Sequence, residues 1–343
     1  MRSGIVRLNL TFGWRGWIGF RPIVTGNIVL QDLSIWMSSA AKIARGGTCF
    51  FVSVGFSFMA TQAIAGPDGC DIDGDVAICT GDQGDGVIAG VDFPSSVVFL
   101  KVKPDEGPIA PGAGTPGIYD VFDTTLWLKS RADIFATDAD AIAIEGPGTL
   151  WLDSRGDLIA DRRGIYAFSW EDAVYVKSDG YINAGEDGIF AQAITGVGVT
   201  NRGDIDAGFK GIFANAFAGP VTVNNDSAIT ADLDAIWAQG QGDVNIWNEG
   251  TLVSTEFNGS GYGIFANSTE NQVFIYNDAD ITADLDPIWA RGFTGVTVYN
   301  DANLTNRDNT SARGIYAESP LGFVDVTSSR ISHMALLIDA IDR

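Results

Sequence analysis

The 343-residue sequence predicts an all-β fold, a right-handed parallel β-helix (solenoid) of about nine to ten coils of about 23–24 residues each. Three observations carry that prediction. First, a tetrapeptide returns: Gly164-Ile165-Tyr166-Ala167, Gly188-Ile189-Phe190-Ala191, Gly211-Ile212-Phe213-Ala214, Gly263-Ile264-Phe265-Ala266 and Gly314-Ile315-Tyr316-Ala317, with looser copies beginning at Gly117, Ala141, Ala235 and Pro287. The nine starts lie 24, 23, 24, 23, 24, 28, 24 and 27 residues apart, a period that marks stacked units too small to bury their own apolar faces. Second, two further apolar segments follow each tetrapeptide at constant offsets, as in Val221-Thr222-Val223 and Ile229-Thr230-Ala231 after Gly211. Third, a polar column runs through the units: Ser130, Ser154, Ser178, Asn201, Asn225, Asn248, Asn277, Asn300 and Ser328.

Every segment alternates with period two, so each reads as a short strand with one buried face. No unit carries about 10–12 residues of the 3.6-residue helical period. Three short strands per coil, stacked in parallel, define the solenoid, and the crossover rule gives its right-handed sense. The Ile of the tetrapeptide forms one inward column. Leu128, Leu152, Val176, Val199, Val223, Ile246, Ile275, Val298 and Val326 form a second. Ile134, Leu158, Ile182, Ile205, Ile229, Leu252, Ile281, Leu304 and Ile331 form the third. At about 1.5–3 kcal/mol per buried aliphatic side chain, one coil does not offset its ordering entropy, whereas coils with two neighbours do. The Ser/Asn column falls at a corner, where Asn accepts the left-handed turn conformation and its amide can bond the same residue one coil away. It therefore reads as a structural ladder of Asn201, Asn225, Asn248, Asn277 and Asn300.

Along the chain, residues 1–36 match nothing downstream and read as a misassigned start or an N-terminal extension. Residues 37–65 read as a secretory signal peptide: Lys42 and Arg45 precede an apolar run that ends in Ala63-Ile64-Ala65. Its strongly apolar part is too short for a bilayer span. Residues 66–116 read as an N-terminal cap, rich in Gly, Pro and Asp, in which Gly86-Val87-Ile88-Ala89 and Val97-Val98-Phe99-Leu100 form an irregular first coil. Within the cap, Cys70 and Cys79 are an even pair in a chain read as exported, which favours a disulfide over two free thiols. Residues 117–343 are the β-helix repeats, which stop at Leu336-Leu337-Ile338-Asp339-Ala340 as though another coil were starting and so look truncated at the C-terminus.

Charge narrows the partners. Cleavage after Ala65 removes six of the 21 Lys/Arg and one of the 43 Asp/Glu, leaving 15 against 42 and a net charge of −27. Such a surface repels nucleic acid and anionic membranes. Together, the leader, Cys70 and Cys79 followed by Gly81 and Gly86, and the G-I-[YFW]-A…V-x-V-x-N…I-x-A repeat resemble the passenger region of bacterial autotransporters, over about residues 38–343. The resemblance implies export to the bacterial cell surface or the medium (the periplasm if no translocator exists), a β-helix standing out from the surface, and a role in adhesion, aggregation or biofilm formation. It also implies an outer-membrane β-barrel translocator. No run of amphipathic ten-residue strands is present, so the barrel is expected beyond a truncated reading frame or on another chain.

Catalytic motifs are sparse. His333 is the one histidine, and Ser332 and Asp339 beside it make no recognisable triad. Acidic pairs such as Glu171/Asp172, Asp232/Asp234 and Asp284/Asp286 are the types a polysaccharide lyase or hydrolase would use. The last two pairs, however, sit in a duplicated stretch, Asn225–Ala238 against Asn277–Ala290, alike at 11 of 14 positions, and read as solvated turn residues of inherited repeats. Asp71-Ile72-Asp73-Gly74-Asp75 has the alternating spacing of oxygen ligands for weak Ca2+ binding but lacks the closing Glu of a calcium loop. No cofactor and no resident metal are expected. Period two turns Tyr166, Phe190, Phe213, Trp237, Phe265, Trp289 and Tyr316 outward, as it does Trp127, Trp151, Tyr175, Trp247, Tyr276 and Tyr299. Such rings either pack on one another or form a surface for a ligand. Added residues near Thr255–Tyr262 and Arg307–Arg313 fall at one corner, where solenoids often bind. The functional expectation is a non-enzymatic surface adhesin or structural passenger that binds host or neighbouring-cell glycans or proteins through the seven tetrapeptide rings. The alternatives are a carbohydrate-active enzyme on the same scaffold and a non-functional gene fragment.

Overall fold

In the computed structural model, the described residues are 69–105, 107–255, 261–307 and 313–329, together with the backbone of 337–338. The extension, the leader, His333 and most of the two corner insertions lie outside them. The described residues belong to one compact unit, Ala65–Arg343, and contain strands and turns without an α-helix. They form a β-solenoid of about ten turns built from three sheets.

A typical coil gives one strand to each sheet. Ile212–Ala216 joins an 11-stranded tetrapeptide sheet, Val221–Asn225 a 12-stranded middle sheet, and Ile229–Ala231 an 8-stranded short-strand sheet. Neighbours pair in parallel without slippage: Ile189 lies beside Ile212 and Ile212 beside Ile236, while Val199, Val223 and Ile246 follow one another in the middle sheet. Register is held because a one-residue slip would turn every aliphatic side chain outward. The three inward columns merge into one continuous core along the rod.

Tetrapeptide glycines serve close packing. A β-carbon at Gly188 would stand 2.4 Å from Ile205 Cγ2 and 2.7 Å from the Gly211 carbonyl oxygen of the next coil. The Asn column is a hydrogen-bonded ladder buried at a corner. Asn201 Nδ2 donates to Asn225 Oδ1 at 2.8 Å, Asn225 to Asn248 at 2.8 Å, Asn248 to Asn277 at 2.6 Å and Asn277 to Asn300 at 2.7 Å. Each amide also donates to the carbonyl two residues on, as Asn225 does to Ser227 at 2.7 Å. In the Ser part of the column, the hydroxyls of Ser154 and Ser178 have no partner, and neither has Asn201 Oδ1.

Near the start, a hairpin of Asp71–Asp73 and Val76–Cys79 turns at Gly74 (φ 63°) and leads into the middle sheet, since Cys79 pairs beside Val102. Cys70 and Cys79 are disulfide-bonded, with Cys79 fully buried. Val87–Ile88 and Phe99–Val102 pair with the strands that follow, and Ile109 bridges Ile134. The stretch from Gly86 to Ile109 is thus a turn of the solenoid in register with the rest.

The corner aspartates are not all solvated turn residues. Asp140, Asp187, Asp234 and Asp286 are buried, and each accepts the amide of the residue before the next coil's tetrapeptide: Arg163 at 3.0 Å, Lys210 at 3.1 Å, Tyr262 at 3.0 Å and Arg313 at 2.6 Å. Asp284 is buried as well, whereas Asp232 is exposed. Burial wins here because the chain must satisfy an amide at the corner that no strand partner reaches.

Candidate binding surface

The seven tetrapeptide rings form a single pile. Successive centroids from Tyr166 to Tyr316 lie 5.3, 4.6, 4.6, 5.4, 4.4 and 5.5 Å apart, with interplanar angles between 4° and 28°. Each is half-buried, because the ring faces cover one another. Flanking cations cover more: the Arg163 guanidinium lies 4.0 Å from the Tyr166 centroid and that of Arg313 4.3 Å from Tyr316. At about 0.5–1.5 kcal/mol per aromatic pair beyond area burial, six contacts hold neighbouring coils together by about 3–9 kcal/mol. The pile has a structural role whatever else it does.

The middle sheet differs. Trp127, Trp151 and Tyr175 occupy its outward positions in three consecutive coils, stacked at 4.8 Å and 4.0 Å. They are 42%, 37% and 37% exposed. At the next two coils the column continues as Gly198 and Thr222, which pair directly beside Tyr175 and Gly198. The pile therefore ends, and the Tyr175 ring leans over the glycine: a β-carbon at 198 would stand 2.8 Å from Tyr175 Cδ1. Two adjoining cavities of about 450 and 520 Å³ open here, and both are lined by Trp151, Tyr175, Gly198 and Thr222. Further along, Trp247, Tyr276 and Tyr299 are exposed, but the ring contacts in this group, Trp247 to Phe274 and Phe274 to Tyr299, are tilted and 5.6 and 5.9 Å long.

Polar groups flank the cavities. Asp172 accepts the Thr149 hydroxyl at 2.6 Å and the Thr195 hydroxyl at 2.9 Å, one from each neighbouring coil. Those two bonds hold its carboxyl below the usual range. On the other side, Lys177 Nζ contacts Asp179 at 2.8 Å and Asp153 at 3.7 Å. Burial works against ionisation of Asp153, but the Arg155 hydrogen bond and the charges of Lys177, Arg155 and Lys129 outweigh it and lower its pKa.

Periodicity singled out the tetrapeptide rings because they recur in almost every coil. The cavities arise where a column breaks, at Gly198, and the available signal was that interruption after Trp127, Trp151 and Tyr175. Asp71, Asp73 and Asp75 are laid out along the hairpin, and among the described residues no group of three or more His, Cys, Asp or Glu is placed to hold a metal ion. Scanned against protein-family models, curated proteins and solved structures, the chain matches none of them. Fold and surface together define a β-solenoid with an exposed aromatic platform.

Proposed function

We propose that the protein is an exported β-solenoid of the autotransporter-passenger kind, a surface adhesin or structural passenger that engages glycans or proteins without chemical turnover. The observation that carries this reading is the aromatic platform beside open cavities on the outer face of the middle sheet, since contiguous exposed rings on a soluble scaffold serve recognition. A disulfide near the start of the described residues, with its Cys79 end buried, supports an oxidising compartment. The cavity carboxylates favour binding over hydrolysis. Asp172 and Asp153 are both held ionised, whereas a glycosidase pair needs one acid held protonated.

Expression of the full chain in a Gram-negative host, with N-terminal sequencing of the exported product and adhesion of coated beads to cells, tests the proposal. Export with cleavage near Ala65 and bead adhesion are expected. Steady release of soluble products from a polysaccharide would overturn the binding reading in favour of an enzyme. An uncleaved, retained chain would overturn export.

A further inference from the structure

We infer that the broken end of the Trp127–Trp151–Tyr175 pile is a subsite for a neutral oligosaccharide, which lies beside Tyr175 over Gly198 and Thr222 as the next plate in the stack. The inference rests on the binding reading above and supplies its ligand class and its place.

Four features of the site converge on that chemistry. The rings are stacked in register from coil to coil, and the pile stops at a residue with no side chain, over which the Tyr175 ring leans, so that no fourth ring covers the outer face of the pile's end. A pyranose has a flat face of C–H groups that packs on such rings and a rim of hydroxyls that must be bonded. Asp172 is a fixed acceptor beside the platform, oriented by two threonine hydroxyls whose own oxygens still accept. The adjoining cavities, about 450 and 520 Å³, fall in the range of small-ligand sites, about 300–1,000 Å³. Charge then selects among sugars. Lys177 is already engaged by Asp179 and Asp153, and the chain carries a net −22. A uronic acid or a sulfated sugar would therefore meet like charge at Asp172 and Asp153, and Lys129, which lines only the second cavity and already offsets Asp153, is the other lysine there. A second copy of this acidic chain is disfavoured on the same ground.

The tetrapeptide pile provides the internal contrast. Its faces are already occupied by rings and guanidinium groups, so the inference predicts that it contributes little to sugar affinity.

The test titrates the full-length chain with neutral gluco-, manno- and galacto-oligosaccharides and with oligogalacturonate, following tryptophan fluorescence and heat of binding. Tyr175→Ser removes the platform's end. Thr222→Trp fills the opening from an outward position that leaves the core untouched. Trp237→Ser serves as the control in the other pile, and circular dichroism confirms that each variant folds. At least one neutral series is expected to bind, with both Tyr175→Ser and Thr222→Trp weakening it by roughly ten-fold or more, as for a central contact residue. Trp237→Ser should stay within about two-fold, and oligogalacturonate should bind at least about ten-fold more weakly. Absence of binding to every neutral series, or binding that Tyr175→Ser and Thr222→Trp leave unchanged, would overturn the subsite. Bead adhesion to cells read on the same variants keeps the two proposals apart. Adhesion that survives in both variants, together with sugar binding that is absent or unchanged by them, removes the subsite and leaves the adhesin reading standing.

Discussion

Asp120 is the one carboxylate in the fourth position of a tetrapeptide, and it makes the fold's stability pH-dependent. Most coils place alanine there, as at Ala167, Ala191 and Ala214, because the side chain enters the core. Asp120 follows that geometry: it pairs beside Ile144, is 0% exposed, and neither carboxylate oxygen has a well-formed hydrogen-bond partner. Burial pushes its pKa up to about 7, the charge of Asp123 adds to the rise, and the Val121 amide gives only partial relief. A folded-state pKa above the unfolded value of about 3.9 means that the folded chain binds the proton more tightly. Stability is then fully present below the unfolded pKa and falls as pH rises to the folded one. At 1.36 kcal/mol per unit, the loss between pH 4 and pH 8 approaches about 4 kcal/mol, an upper bound because relaxation and water entry soften it. Asp120→Ala restores the residue of the other coils. It is expected to stabilise the first coils by about 2–4 kcal/mol at pH 8 and to change little at pH 4. Urea unfolding at both pH values, with amide exchange of Ile118–Phe122 as the local readout, measures this. The comparison with the variant isolates Asp120 from Asp187 and Asp286, whose carboxyls burial also pushes up. Equal effects at the two pH values, or a variant less stable at pH 8, would refute the reasoning.

Three further outcomes follow from the corners. Asn225→Ala strands a donor on Asn201 and an acceptor on Asn248, so unfolding should ease by about 2–5 kcal/mol, and a variant within error of wild type would show that the ladder carries no weight. Ser178→Asn adds a donor beneath Asn201 Oδ1, which lacks one; a gain of about 0.5–1.5 kcal/mol in denaturant unfolding is expected, and destabilisation would mean the corner has no room for the amide. Asp172, with its pKa held down chiefly by Thr149 and then by Thr195, contributes stability that is present above the unfolded pKa and is lost as pH falls through the folded one. Thr149→Val should therefore raise the Asp172 pKa seen by NMR titration, and an unmoved titration would separate the hydroxyl from the carboxylate.

The strands, their register and the polar ladder were legible because each is a repeated local choice. An inward position admits only apolar side chains, and the same demand returns every coil, so nine copies of a weak signal add up. The role of the tetrapeptide rings was legible only as two alternatives, since period two fixes which face a side chain takes but not whether its neighbour covers it. The middle-sheet cavities were harder still, for a site made by the absence of a side chain at Gly198 has no motif. Asp120 was hidden for the opposite reason: a chain that is acidic throughout gives a buried carboxylate no contrast.

That acidity has a structural component. Besides the four aspartates before alternate tetrapeptides, Asp133, Asp157, Asp204 and Asp280 each accept a backbone amide from the next coil, those of Asp157, Tyr181, Ala228 and Asn303. A carboxylate is the residue of choice there, because it presents acceptors only and bonds to it are about twice as strong as neutral ones. The buried set recurs on every second coil, at Asp140, Asp187, Asp234 and Asp286, and the coils between answer with Arg163, Lys210, Tyr262 and Arg313. Arg163, Lys210 and Arg313 also lie over tetrapeptide rings, and Tyr262 contacts Phe265 at 5.6 Å. The mechanical repeat of this solenoid is thus a pair of coils, one giving the carboxylate and the next the amide and a side chain over the pile. The duplicated stretch, Asn225–Ala238 and Asn277–Ala290, two coils apart, carries the carboxylate half of that pair, at Asp234 and Asp286.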